Sequence, residues 1–402
     1  MGRVVVTVVV VAALLTGCGG GDEGDDVAAE EAGAPPTGLP IAFAGGENGW
    51  GRLLATSDLL VGYGTRGEDD PADLGEVVDL ATGETWGLGR PETDPPFSPD
   101  TAVALDDELV VSGQICPPGS RSSDAADPCT NLATYRVDPV TATWTAVAPP
   151  ATADLAERMY ATPDGAVAVF RTPDGPDHAV LARLGSDGWE VLGPVPRANP
   201  TCATATELFS MVQGPGPPAP LIPGDPPEGT STWTITTTSF ADGSSRPVAV
   251  PDDLPRFFGS APFELVCGRE APVIGMTDPE TRRASVVRLV DGERWEEVAG
   301  IVPETGQQQA RGFASGEVAV VTTDDVAGDP TSRAALRGTA VRADGTTEPL
   351  VADLDLRGTE LVPRGVDGPF VAVGPVHEEA EPGVDEPPVR DPVPVRLLPA
   401  LA

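Results

Sequence analysis

The chain predicts an all-β fold built from repeated units, and three observations carry that prediction. Beyond residue 38 there is no sustained 3.6-residue apolar period of the kind an amphipathic helix needs. Short Val-rich runs are punctuated instead by most of the chain's 47 Gly and 45 Pro, the pattern of strands and turns. One run recurs, at residues 59–62, 110–113, 167–170, 208–212, 265–268, 318–321 and 371–374. Seven copies at a mean spacing of about 52 residues mark a repeat architecture.

Each copy carries more than one strand. A small-residue segment lies just upstream at 53–56, 159–162, 257–260 and 312–315. Downstream, a strand, a tight turn and a second strand that opens on Trp86, Trp144, Trp189 or Trp295 form a hairpin. A turn followed by Trp suits a hairpin that covers a sheet edge with a large ring. Four strands per unit, seven times, predict a seven-bladed β-propeller in which the recurring run is the second strand of each blade. β-Solenoids have shorter repeats and come second. Stacked interfaces between blades also avoid the size limit of a single core. The last copy is one strand short, because after residue 374 only 394–398 reads as a strand. A ring must close to remove its edges, so residues 39–44 are expected to supply the outer strand of blade seven.

Residues 135–150 resemble a blade of the kelch family, with Asp138, Pro139, Thr141 and Trp144 in the family's positions. Asp79, Thr82 and Trp86 match with one extra residue. The kelch Gly-Gly pair is reduced to the single glycines Gly62, Gly113, Gly268 and Gly374. The resemblance implies a divergent propeller of the kelch and galactose-oxidase type and implies no activity. A copper oxidase of that type would need two His and a Tyr–Cys pair at the axis. The chain has only His178 and His377 and three Tyr, so neither that chemistry nor any metal or cofactor is expected.

The N-terminus supplies an address. After Arg3, residues 4–15 are apolar except for Thr7. As a helix they would reach roughly 18 Å, too short for a bilayer core of ~30 Å but the right length for a signal peptide. Leu15, Thr16, Gly17 and Cys18 resemble the lipobox of bacterial lipoproteins. That resemblance implies cleavage before Cys18, lipid on its sulfur, and a mature protein anchored to the membrane outside the cytoplasm. Residues 1–17 are thus read as signal peptide. Residues 18–38, rich in Gly, Ala and acids, are read as a disordered tether with a reach of roughly 25 Å. Residues 39–402 are read as the propeller.

The net charge is −37 and every one of the 25 basic residues is Arg. A coding bias toward Arg, Ala, Gly and Pro, or adaptation to salt, produces such a composition. Nucleic acid is excluded as a partner for want of a basic face. No D-x-D-x-D-G loop is present, so a dedicated calcium site is not expected. Apart from Cys18 there are four cysteines, an even number suited to disulfides in an exported chain. Cys116 is expected to pair with Cys129 around a short polar loop, which leaves Cys202 for Cys267.

The predicted turns between first and second strands, and between third and fourth, are short. The long insertions, at 64–73, 116–129, 213–229, 269–283, 322–333 and 375–392, all fall between second and third strands. One face is therefore plain and the other elaborated, and loops on a rigid scaffold are where binding is built. Arg52, Arg158, Arg256 and Arg311 lie at the start of first strands, which predicts a ring of guanidinium groups at the axial mouth of the elaborated face. Asp100 stands nearby in blade two, Asn199 in blade four, and Arg357 or Arg364 in blade seven. Such arginines can hold a carboxylate or sulfate through forked hydrogen bonds, or pair with loop acids such as Asp253. No G-x-S-x-G, H-E-x-x-H or spaced Ser/His/Asp set occurs. The expected function is a monomeric, lipid-anchored, non-catalytic binding or scaffold module for an envelope protein or a glycan. The alternative is a secreted carbohydrate-active enzyme, of glycosidase or lyase type, with its site at the axial mouth, since glycosidase chemistry needs only carboxylates, Tyr and Arg. A pure spacer, the third reading, predicts no pocket on either face.

Overall fold

A computed structural model of the 402-residue chain describes residues 41–43, 52–63, 74–115, 131–173, 178–198, 201–213, 233–251, 263–268, 270–277, 284–298, 311–315, 317–323, 335–341, 346–355, 360–364, 370–373 and 393–397. The chain divides into two units, Met1–Thr37 and Gly38–Ala402. The first unit lies wholly outside the described residues, and with it the expected signal peptide, Cys18 and most of the expected tether.

All regular structure among the described residues is strand, and none of it is helix. The first strand is β1 (Ile41–Phe43). Sheet I comprises β2 (Arg52–Ala55), β3 (Leu59–Tyr63), β4 (Gly75–Asp79) and β5 (Thr85–Gly87). Sheet II comprises β6 (Phe97–Ala104), β7 (Leu109–Ile115), β8 (Asn131–Asp138) and β9 (Thr143–Val147). Sheet III comprises β10 (Leu155–Thr162), β11 (Gly165–Arg171), β12 (His178–Leu184) and β13 (Trp189–Pro196). Sheet IV comprises β14 (Thr201–Ala203), β15 (Glu207–Gln213), β16 (Trp233–Ser239) and β17 (Ser245–Val248). Sheet V comprises β18 (Phe263–Cys267), β19 (Pro272–Thr277), β20 (Ala284–Val290) and β21 (Arg294–Glu297). Backbone pairing continues through β22 (Arg311–Ser315), β23 (Glu317–Thr323), β24 (Ala335–Val341) and β25 (Thr347–Asp355). It then runs through β26 (Glu360–Pro363), β27 (Phe370–Val373) and β28 (Val393–Leu397), and β1 joins the far edge of β28. Sheets I to V are antiparallel meanders with strands in chain order, the form of propeller blades.

The Val-rich runs are explained by what covers them. In β7, Leu109 and Val111 pack toward sheet I, while Val110 packs toward sheet III. In β11, Ala166, Ala168 and Phe170 face sheet II, and Val167 and Val169 face sheet IV. A sheet with a neighbour on both faces needs apolar residues at both phases of the two-residue period, so polar alternation vanishes from the sequence. The core is accordingly a series of layers between successive sheets, continued between IV and V by Phe209, Met211, Ile235, Leu265 and Ile274.

The edges are tied sheet to sheet. The indole N–H of Trp86 donates to Pro139 O of sheet II at 2.7 Å, and that of Trp144 donates back to Leu88 O at 3.0 Å. Trp295 repeats the link from sheet V to Ala249 O at 2.7 Å. The predicted capping role of these rings thus includes a hydrogen bond to the neighbouring sheet. Arg136 pairs with Glu108 at 2.7 Å and donates to Gly185 O of sheet III, and Arg246 pairs with Glu207 and donates to Gly292 O of sheet V. Cys202 of β14 is bonded to Cys267 of β18, joining the first strands of sheets IV and V. Cys116 and Cys129 lie outside the described residues.

The fifth repeat departs from the sequence expectation. Residues 265–268 are expected in a second strand, but Leu265–Cys267 complete β18, the first strand of sheet V, Gly268 enters the turn, and Pro272–Thr277 forms the second strand. A turn closed by Gly268 N–H donating to Ala271 O separates the two. The expected long insertion at 269–283 is therefore interrupted by a strand. A proline at its start disguises that strand, since Pro is tolerated at the first strand residue but reads as loop. Residues 257–260 lie outside the described residues.

Candidate functional site

The first strands neighbour one another in order, β2 beside β6, β6 beside β10, β10 beside β14 and β14 beside β18, so they form the inner edge of the stack. Their beginnings, together with the ends of the second strands, lie at one end of the sheets. Register fixes which residues are equivalent there. Arg52 sits opposite Tyr63, Arg158 opposite Val169 and Arg311 opposite Val321, each the same distance back from its turn. In sheet V the same place belongs to Glu264, opposite Gly275. Arg256, Arg357, Asn199 and Asp253 lie outside the described residues. Arg364 follows β26 and belongs to the opposite end, where it donates to Ser57 O and lies 3.8 Å from Asp58.

Two bulges shape this end. In β6 the register skips Asp100, between Pro99 and Thr101, and in β10 it skips Glu157, between Ala156 and Arg158. A bulge re-aims a side chain and bends its strand. The bend in β6 presses Ser98 and Pro99 onto Gly113, where a Cβ would stand 2.0 Å from Ser98 O. Only glycine permits that approach, which accounts for Gly113 at the end of the recurrent run.

Around the bulges the charges interleave. Arg171, closing β11, donates from Nε to Asp154 Oδ1 at 2.9 Å. Arg197, just past β13, pairs through Nε with Glu157 Oε1 at 2.7 Å. Asp100 feels both Arg52 and Arg171, yet its burial outweighs them and pushes its pKa up to about 6. Its Oδ2 is buried and makes no hydrogen bond among the described residues. Tyr63 is raised by burial, partly opposed by the guanidinium of Arg52. Tyr160 is pushed up to about 12, chiefly by burial, and shares a hydrogen bond with Thr201.

The described part of this end thus gathers Arg52, Arg158, Arg171 and Arg197 with Asp100, Asp154 and Glu157. The sequence singles out Arg52 and Arg158 by position and notes Asp100. It misses Arg171, which ends a second strand, and Arg197, which follows a fourth. A repeat-aligned search of strand ends, rather than strand starts alone, would find them. Chemically the set can receive an anion, donate and accept hydrogen bonds to hydroxyls, and exchange a proton near pH 6 through Asp100.

The turn end is not featureless either. A cavity of about 510 Å³ lies there between sheets IV and V, lined by Glu207, Arg246, Glu270, Arg288 and Asp291 among others.

No family model matches the sequence, and no curated protein matches it. Among solved structures, the chain resembles the β-propeller domain of the Trilobed protease from Pyrococcus furiosus at 10% identity and a TM-score of 0.46, over 83% of this chain and 91% of that one. It also resembles the acylaminoacyl peptidase of Pyrococcus horikoshii at 11% identity and a TM-score of 0.46, over 81% of this chain and 48% of that one. An oligogalacturonate lyase solved with manganese aligns at 14% identity and a TM-score of 0.42, over 68% of each chain.

Proposed function

We propose that residues 39–402 form a seven-bladed propeller closed by β1, held outside the cytoplasm by lipid on Cys18, and that it is a non-catalytic binding module. Its partner is an envelope protein or a glycan, taken at the end of the sheets where the first strands begin. Three observations support the ring. The succession of neighbouring first strands continues through β22 and β26 and returns to β2. Ala55 and Arg364 form a parallel bridge across that return. Ile41, Ala42 and Phe43 pair with Val395, Pro394 and Val393.

The function rests on one observation: four arginines of an otherwise strongly acidic chain converge at one end of the inner strands. In a protein of net charge −37, scattered arginines would serve as well for solubility. Their concentration fits the reception of an anionic group. The test is capture of partners from intact envelopes by the mature chain, beside Arg52→Ala and Arg158→Ala. The proposal expects the variants to lose what the parent captures; equal capture by all three removes the arginines from the site. The anchor is tested separately, by incorporation of labelled palmitate that Cys18→Ala abolishes.

A second reading, the carbohydrate-active enzyme, is favoured by the carboxylates that accompany the arginines. Asp100 with its pKa of about 6 has the character of a general acid. Product release from a glycan panel that ceases in Asp100→Asn would establish it; binding without turnover would remove it.

A further inference from the structure

We infer that Asp100, Arg52 and Arg171 form a proton-coupled subsite for a carboxylate-bearing saccharide, a uronate, within the binding end described above. The inference rests on the reading of that end as the ligand site and adds the ligand's chemical class. It begins with an unmet requirement. Asp100 Oδ2 is buried with no hydrogen-bond partner among the described residues, although two arginines lie within electrostatic reach. A buried acceptor left unmade is costly, and it is relieved by a proton or by a donor from outside. Backbone geometry keeps the group there: the β6 bulge carries Asp100, and Gly113 is the only residue type that fits beneath the bend.

The neighbouring acids are already engaged. Asp154 pairs with Arg171 and Glu157 with Arg197. The charged groups that act on Asp100 are Arg52 of β2 and Arg171 of β11; Arg52 in turn acts on Tyr63 of β3, and Arg171 on Asp154 and Glu157. A proton relieves the buried oxygen; a saccharide hydroxyl meets the partly exposed remainder of the Asp100 carboxyl, while a carboxylate on the same sugar takes the guanidinium of Arg52. A neutral sugar leaves the arginine unanswered, and a simple anion leaves the carboxyl unanswered.

Proton coupling follows. An ionised Asp100 repels the incoming carboxylate and can only accept a hydrogen bond. Protonated, it loses the charge and can also donate. With a midpoint near 6, a ligand that requires the protonated form binds about tenfold more weakly at pH 7 than at pH 5, while an ordinary carboxylate stays ionised throughout.

The test is calorimetric titration of the mature chain, carrying Cys18→Ser, with tetragalacturonate and a glucuronate tetrasaccharide between pH 5 and pH 7.5. Carboxyl-reduced counterparts serve as neutral controls. At least one uronate is expected to lose about tenfold in affinity between pH 5 and pH 7. Asp100→Asn should bind at the parent's pH 5 strength across the range, and the reduced sugars should show no such pH dependence. Asp100→Ala, with melting temperatures for both variants, separates loss of titration from loss of fold. Absence of uronate binding at pH 5, or one pH profile for parent and both folded variants, overturns the inference. Either result, with envelope capture still dependent on Arg52 and Arg158, leaves the binding module standing and removes only the uronate. Loss of that dependence removes the binding module itself.

Discussion

Asp100 and Asp138 show how the same side chain serves opposite ends. Asp138 opens a hairpin turn, where its Oδ1 accepts from the backbone N–H of Val140 and Thr141, and Thr141 Oγ1 donates to its Oδ2. These bonds favour the ionised form and hold its pKa below the usual carboxylate range, the hydroxyl of Thr141 contributing most. Asp79 repeats the arrangement with Ala81 and Thr82. Asp79, Asp138 and the threonines that follow them are therefore turn builders. Stability supplied by Asp79 and Asp138 is present above the unfolded carboxylate pKa and is lost as pH falls through the lower folded value. Asp100 acts in reverse. Its folded pKa, about 6, lies above the unfolded value of ~3.9. It therefore penalises the folded state progressively as pH rises from about 4 through about 6. The melting temperature of Asp100→Asn is expected to exceed the parent's at pH 7.5, with the gap closing by pH 4. A constant gap across that range would show that Asp100 does not titrate as described. Arg52 was legible at this scale because it repeats at strand starts. The bulge that brings Asp100 to it was not, because a one-residue slip in pairing has no composition of its own.

At the scale of elements, hairpins and turns were legible where Asp, Gly and Thr precede Trp, as in β8 and β9. The fifth repeat was misassigned because Pro272 hides a strand and Gly268 looks like the end of a second strand. Tertiary packing against sheet IV, through Leu265, Cys267 and Ile274, decides the matter instead. Two predictions belong here. Gly113→Ala sets a Cβ against the backbone of Ser98 and Pro99, which cannot yield as a flexible side chain would. It is expected to cost about 1–3 kcal/mol in urea unfolding, the range for overpacking, and to disturb the Asp100 bulge. An unchanged midpoint would mean that the strands do not approach so closely. Replacing Cys202 and Cys267 together by Ser opens a loop of sequence separation 65. The expected cost is about 2–4 kcal/mol, and chemical reduction of the parent should reproduce it. A smaller loss would place the disulfide in a region that is already constrained when unfolded.

For the whole molecule, the sequence carried the all-β character and the four-stranded unit, because each blade buries both faces and prints that burial as Val-rich runs. It carried only part of the candidate site, Arg52, Arg158 and Asp100; Arg171 and Arg197 come from the end of a second strand and the connection that leaves a fourth strand, far apart in sequence. A ring also makes a mechanical demand that no single repeat contains. Its first and last strands must meet, and β1 on β28 is the contact that would satisfy it. Without β1 the outer edge of β28 would offer unpaired backbone groups to other chains. The most direct measurement is therefore a cross-link at that seam. Ala42→Cys and Pro394→Cys, directly opposite in register, are introduced into the mature chain carrying Cys18→Ser and exposed to mild oxidant. A closed seven-bladed ring predicts a disulfide within a single chain, formed at high yield and lost when a control cysteine replaces Pro392 in place of Pro394. Free thiols at both positions, or cross-linked pairs of chains, would contradict the closure.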